Sequence, residues 1–367
     1  MSNEVIVMYL RSYLEIDEDK YRHNIRTLQK ISGKKLIGVV KANAYGMGDV
    51  RASEILIEEG VEMLAVSSID EALHLRRNRI GCDILILGYT DRDDLKKVRD
   101  NDLSIVTVSK DYVERNRDML QGIRVHLKLN TGMNRIGVRP YEAKEVLEKL
   151  IECGAKVEGI MTHYTSSDES EEVTKRQYDM FKETVESLDY PFEYIHIANS
   201  DGTVHFGEKF ATHCRPGLAL LGLSSYESDL QPCLSLYSQV VDCKRVPYGE
   251  KISYGGHYTS EDDWIITLPI GYADGFRRSN TGKEVYVDGE YGTIVGSVCM
   301  DQMMVKVSRK IEIGTEVELY GEHIDVRKRA EEVGTIPYEL YTDVSDRIAR
   351  VYASRGEIVK ILLPRFN

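Results

Sequence analysis

The stretch LIGVVKANAYGMGDVRASEILIEEG, residues 36–60, decides the fold. LIGVV (36–40) is a short apolar run of buried-strand type, and it gives way to a polar segment that begins with Lys41. RASEILIEEG (51–60) has apolar positions three and four residues apart and stops at glycine, which predicts an amphipathic helix. Outward from this unit the same grammar repeats. MLAVSS (63–68), ILILG (84–88), LSIVTV (103–108), VHLKLN (125–130), VEGIMTH (157–163), YIHIAN (194–199) and LALLGL (218–223) are further apolar runs. Most start about 20 to 35 residues apart, the length of one strand and one helix. YRHNIRTLQKIS lies ahead of the first run, and PYEAKEVLEKLIECG lies between later ones, both with helical spacing. Eight strands alternating with helices predict an α/β fold, a (β/α)8 TIM barrel. A doubly wound sheet has the same periodicity and stays open as the alternative.

Beyond residue 230 the pattern changes. SQVVDCKRV, WIITLPIG, EVYVDGEYGTIVGSV, QMMVKVS, TEVELYG and EIVKILL are β-branched runs broken by DG, YG and GG, and only VRKRAEEVG reads as helical. The expected division is a barrel over 12–230 and a β-rich domain over 231–367, with 1–11 attached to the latter. Two domains also suit 367 residues at roughly 150 residues each.

Composition excludes several functions. With 48 Lys and Arg against 60 Asp and Glu, the net charge is −12, which disfavours a nucleic-acid footprint. No apolar run approaches the ~18 residues of a membrane span, and the N-terminus reads as no secretory signal. The expected location is cytoplasmic, with no membrane contact from these residues. Six scattered Cys without a CxxC pair read as reduced thiols, and nine His without HExxH or HxH spacing argue against a metal site.

Barrel chemistry sits where strands end. VVKANAYGMG (39–48) puts Lys41 at the first strand end, where desolvation favours the neutral amine that imine formation requires. A lysine snorkelling from the barrel mouth is the plainer alternative. Other strand ends supply Lys128 and Arg135 (LKLNTGMNRIG), His163 (GIMTHY), and His196, Asn199 and Ser200 (HIANSDG). CRPGLAL supplies Arg215, Gly217 and Leu218, where glycine permits close backbone approach to an anion. The β half offers Tyr254 (KISYGG), Tyr272 (LPIGYADGFRR), and Met300 and Asp301 (VGSVCMDQ); with 23 Tyr in the chain, each alone is weak evidence.

Taken in order, these motifs closely resemble those of the alanine racemase family, from about residue 12 to residue 350. The resemblance implies a pyridoxal 5'-phosphate enzyme of the barrel type that interconverts L- and D-alanine for peptidoglycan. It also implies a homodimer in which one subunit's barrel and the other's β domain share each active site. Lys41 resembles the cofactor lysine and one catalytic base, and Tyr254 the opposing base. Tyr45, Ser200, Gly217 and Leu218 resemble phosphate contacts. His163 resembles the residue beside the ring, with Asn199 among the cofactor-binding residues, and Arg215 resembles the partner of the ring nitrogen. Arg135, Tyr272, Met300 and Asp301 resemble the substrate region. Lys128 stands where many relatives carry a carbamylated lysine.

The chain departs from the family at Met47, Asn130, Asn134 and Asp346. Asp346, in DVSDRIARVY, replaces a tyrosine of the substrate pocket. The resemblance extends to serine racemases of the glycopeptide-resistance type, usually fused to a membrane domain, in which a polar residue stands there. Serine is therefore the alternative substrate, and excision from a membrane-anchored protein the alternative setting. A pyridoxal-phosphate homeostasis protein lacks the β half, and a decarboxylase uses different substrate motifs.

Overall fold

The computed structural model describes residues 10–206 and 209–364. The described residues form two compact units, one within residues 21–231 and one made of residues 10–20 with 232–364; residues 1–9 of the expected N-terminal attachment lie outside the described residues. The first strand, β1 (Ser12–Asp17), lies in the second unit. It pairs antiparallel with residues 234–238 and parallel with residues 349–353, so the expected start of the barrel at residue 12 is too early. The long sequence separation of these pairings hid them from a reading by local periodicity.

Unit 21–231 is a closed barrel of eight parallel strands. They are β2 (Lys35–Val39), β3 (Met63–Val66), β4 (Asp83–Ile86), β5 (Ser104–Val106), β6 (Arg124–Lys128), β7 (Lys156–Met161), β8 (Tyr194–His196) and β9 (His213–Cys214). Closure of β9 on β2 removes the doubly wound alternative. All four residues of β3 are buried, without alternation, because one face fills the barrel and the other lies beneath helices. The eighth strand is a correction. LALLGL is not extended; Leu218–Leu221 forms a fully buried 3-10 turn closed by Gly222 at φ 84°. The strand is His213–Cys214, too short and polar to stand out as an apolar run.

The second unit is built on a ten-stranded sheet. In chain order its elements after β1 are β10 (Leu234–Gln239), β11 (Asp242–Val246), β12 (Lys251–Ile252), β13 (Tyr258–Thr259), β14 (Asp263–Leu268), β15 (Glu284–Val287), β16 (Glu290–Val295), β17 (Met303–Val307), β18 (Glu316–Tyr320), β19 (Ala349–Ser354) and β20 (Glu357–Leu362). β12 and β13 stand apart as a two-stranded ribbon. β15 and β16 are joined by Asp288–Gly289 at φ 48° and 86°, the two positive φ values that a tight hairpin turn requires. Besides the expected helix at Val326–Glu332, a second covers Pro337–Thr342, begun by proline at its first position.

Candidate active site

Five of the expected residues stand at the carboxyl-terminal rim of the barrel. Lys41 follows β2, Lys128 ends β6, His163 follows β7, Ser200 follows β8 and Arg215 follows β9. The chain after Lys41 is unusual. Ala42, Asn43, Ala44 and Tyr45 have φ of 52°, 54°, 49° and 56°, one turn of left-handed helix made without glycine. Such backbone costs roughly 1–2 kcal/mol per residue and persists only where surrounding contacts enforce it. Gly46 at φ 89° and Gly48 at φ 106° end the turn, and the Asn43 side-chain oxygen accepts from the Asp49 amide at 3.0 Å.

The turn carries the buried Tyr45 towards Gly217. A Cβ on Gly217 would overlap the Tyr45 hydroxyl, so glycine is needed here for approach and not for φ. Ser200 Oγ accepts from the amides of Gly217 and Ala219 at 3.0 and 3.1 Å. Its hydroxyl hydrogen then remains for another acceptor. The Asn199 side-chain oxygen accepts from the Gly202 amide at 3.0 Å and from Ser167 Oγ at 2.8 Å, so that oxygen caps the helix that presents Ser200.

Arg215 is buried and donates in several directions. Its guanidinium reaches the carbonyls of Thr162 at 2.7 Å and Ile197 at 3.1 Å, His163 Nδ1 at 3.1 Å and His196 Nδ1 at 2.8 Å. Guanidinium has no acceptor, so both imidazoles accept at Nδ1 and carry hydrogen at Nε2. His196 Nε2 then donates to His126 Nδ1 at 2.7 Å, and His126 Nε2 donates to Glu158 at 3.1 Å. Burial works against the Glu158 charge, but hydrogen bonds from His126, Ser104 and Arg124 outweigh it and hold the carboxyl at about 2. Of this polar thread the sequence showed Arg215 and His196 at strand ends; His126 and Glu158 escaped, because in β6 polar and apolar side chains alternate and nothing local shows that the polar ones point inward.

The rim is rich in positive charge. Burial, then the Arg135 cation, pulls the Lys41 amine below its ordinary value. Burial, then Arg215, Arg135 and Lys41, takes Lys128 to about 7. Burial, then Arg215, keeps His163 neutral, and burial lowers even Arg215 to about 10. Arg135 itself is exposed on the loop after β6. Asn134 on that loop takes the left-handed position at φ 56°, which asparagine tolerates, and Asn130 accepts the Gly132 and Asn134 amides. Such a rim calls for an anionic ligand. A hydroxyl and an amide-lined turn near Gly217, together with an amine at Lys41 whose charge burial disfavours, fit a phosphate ester that bears a carbonyl. Among the described residues no cluster could hold a metal ion.

The β unit gathers the other expected residues in one region. Tyr254 is 76% exposed in the turn after β12. Ser253, at φ 67°, donates to the Ser297 carbonyl at 2.7 Å, which pins this turn to the loop after β16. The amides of Tyr272 and Ala273 bond the carbonyls of Cys299 and Met300 at 3.1 and 3.0 Å. Arg347 joins Asp301 at 2.7 Å to Asp274 at 3.2 Å. Asp346, next to that arginine, is exposed. A cavity of about 540 Å³ is lined by Tyr254, Ser253, Arg245, Cys299 and Met304 among others.

Residues 16–225 match the alanine racemase N-terminal domain, and residues 233–352 match the alanine racemase C-terminal domain. The chain belongs to the alanine racemase family. Alanine racemase 2 of Caldanaerobacter subterraneus subsp. tengcongensis is 35% identical over 95% of this chain and 96% of its own. The crystal structure of alanine racemase from Bacillus anthracis with bound L-Ala-P superposes with a TM-score of 0.92 at 34% identity, covering 97% of this chain and 98% of that one. Histidine racemase from Leuconostoc mesenteroides shares the fold at a TM-score of 0.87 and 26% identity, covering 94% and 99%. Substrate choice therefore varies within one alanine racemase scaffold.

Proposed function

We propose that this chain is a pyridoxal-phosphate-dependent alanine racemase working with two bases, Lys41 and Tyr254. The observation that carries the reading is the half-buried amine of Lys41, which stands at a strand end of the barrel rim with Lys128, Arg215 and His163 and has its charge disfavoured. Pyridoxal phosphate, when bound at Lys41, supplies the electron sink for negative charge at Cα. The chain does the rest. Tyr45, Ser200 and the Gly217–Leu218 backbone would hold the phosphate, and His163 would lie beside the ring. Arg215, always a donor, would meet the ring nitrogen and disfavour its protonation. Asn199 serves by fixing the helix of Ser200. Arg135 and the region of Tyr272, Met300 and Asp301 orient the substrate carboxylate and small side chain.

Inverting Cα requires removal of a proton on one face and its return on the other. Lys41 Nζ serves one face. The exposed Tyr254 hydroxyl of a second copy serves the other, so the working form is a homodimer. Lys128, half neutral near pH 7, is in the state that adds carbon dioxide. The resulting carbamate would be an anion suited to hold Arg135.

A chiral assay of the purified chain with L-alanine and L-serine side by side tests the assignment. Alanine turnover is expected, together with a long-wavelength absorbance that Lys41→Ala abolishes. Absence of both overturns it. Serine is a second substrate favoured by the exposed carboxylate of Asp346, which can accept a hydroxyl. An apolar pocket rejects an added hydroxyl by only about 10²-fold. Asp346→Tyr is expected to lower the serine-to-alanine ratio, and an unchanged ratio removes Asp346 from specificity.

A further inference from the structure

Glu71 lies on the helix Ile69–Arg77, three residues after its cap Ser68. Ser-x-x-Glu is the spacing of a capping box, in which the glutamate would return to the amide of the cap residue itself. The carboxylate goes elsewhere. One oxygen accepts from the Ser67 amide at 2.7 Å and from the Ser67 hydroxyl at 2.8 Å. The other accepts from the Ala42 amide at 2.8 Å, across 29 residues of sequence. Ala42 is the first residue of the left-handed turn and the immediate neighbour of Lys41. The next residue of the turn, Asn43, is tied through its side chain to the Asp49 amide. Of the charged groups that bear on the Lys41 amine, Arg135 repels its charge and Glu71 attracts it.

We propose that Glu71 is a positioning residue for Lys41, its carboxylate clamping the left-handed turn 42–45 to the end of β3 so that the amine leaves β2 in a fixed direction. The inference rests on the reading of Lys41 as the cofactor lysine. A carboxylate is required because both oxygens must accept. Glutamine has one acceptor and one donor, so either way round it turns a donor towards the Ala42 amide or the Ser67 amide. Charge-assisted bonds of this kind are the strong ones, and a turn that is unfavourable for its residues opens when they go.

The test compares Glu71→Gln with Ser68→Ala in the full-length chain, with and without pyridoxal phosphate. Ser68→Ala removes the helix cap and leaves the clamp. In Glu71→Gln, hydrogen exchange of amides 42–48 is expected to rise about 10- to 100-fold, while amides of β3 and β4 keep their protection. In the loaded enzyme kcat is expected to fall about tenfold or more with KM little changed, as displacement of a reacting group produces. Ser68→Ala is expected to leave the exchange of the turn as it was. Unchanged exchange of the turn in Glu71→Gln, or an equal rise in Ser68→Ala, overturns the clamp. Should Glu71→Gln not fold, Glu71→Asp, one methylene too short to span both partners, is expected to give the same exchange pattern. A wild-type chain without racemase activity refutes the proposed function alone; the exchange comparison still decides the clamp.

Discussion

Tyr254 and Lys128 carry opposite lessons about single residues. Tyr254 is exposed because its turn is held from behind, through Ser253 and the loop after β16, which leaves the hydroxyl free to meet something outside the unit. If it is the second base, Tyr254→Phe removes proton transfer on one face only. Exchange of the Cα proton with D2O, followed by NMR, is expected to fall about 10²-fold or more from one alanine enantiomer and far less from the other. Equal losses contradict separate bases. Lys128 is only 4% exposed, and its folded value of about 7 lies below its ordinary 10.5. The unfolded chain therefore binds the extra proton between those values, and stability rises with pH across that window. Below about pH 7 the penalty of charging the buried amine is fully present. Urea unfolding of the cofactor-free chain at pH 7, 8 and 9 is expected to show this rise, and Lys128→Met is expected to remove the share due to Lys128. Lysine at a strand end was legible in the sequence. Its burial among Arg215, Arg135 and Lys41 was not, because Arg215 and Lys41 come from other strands and Arg135 from a loop whose path the sequence does not reveal.

At the level of elements, β6, β7 and β8 place a charged and polar thread where barrels usually hold branched apolar side chains. Gly159 of β7 makes room for it. A Cβ there would press on the His126 ring, the nearest atoms being Nδ1, Cε1 and Cγ. Gly159→Ala is expected to destabilise the barrel by about 1–3 kcal/mol, read as a lower urea midpoint with unchanged m. In sequence this glycine sits inside VEGIMTH and reads only as a weak strand position. The apolar runs identified seven barrel strands because burial on both faces leaves a hydrophobic signature, unbroken in β3 and only interrupted by the thread in β6, β7 and β8. The eighth carries histidine and spans two residues, so tertiary pairing with β2 and β8 creates it. LALLGL misled for the complementary reason. Continuous burial does not distinguish a strand from a tight turn, and Gly222 settles the turn only in three dimensions.

For the whole molecule, the proposed sharing of each site between two copies has a quantitative consequence. Lys41→Ala and Tyr254→Phe are each expected to be nearly inactive alone. In a mixture that exchanges subunits, half of the dimers are mixed, and each mixed dimer has one of its two sites intact. Recovery to about a quarter of wild-type activity is expected, measured after co-refolding at equal concentration. No recovery places both groups in one subunit. No helix among the described residues is long and apolar enough to cross a membrane.

Local chemistry settled much of this protein in advance. The alternation of apolar runs with helical spacing dictates strand and helix. The polar residue that ends each run dictates what faces the rim, because side-chain periodicity is a short-range property. The DG turn between β15 and β16 is of the same kind. Folding in three dimensions decided what depends on distant partners. β1 joined the second sheet through residues far away in sequence, a glutamate with capping-box spacing reached Ala42 instead, and burial beside other cations lowered Lys41 and Lys128 below the ordinary lysine value. Hydrogen-bond partners and desolvation come from whatever is brought near, and separation along the chain does not reveal it.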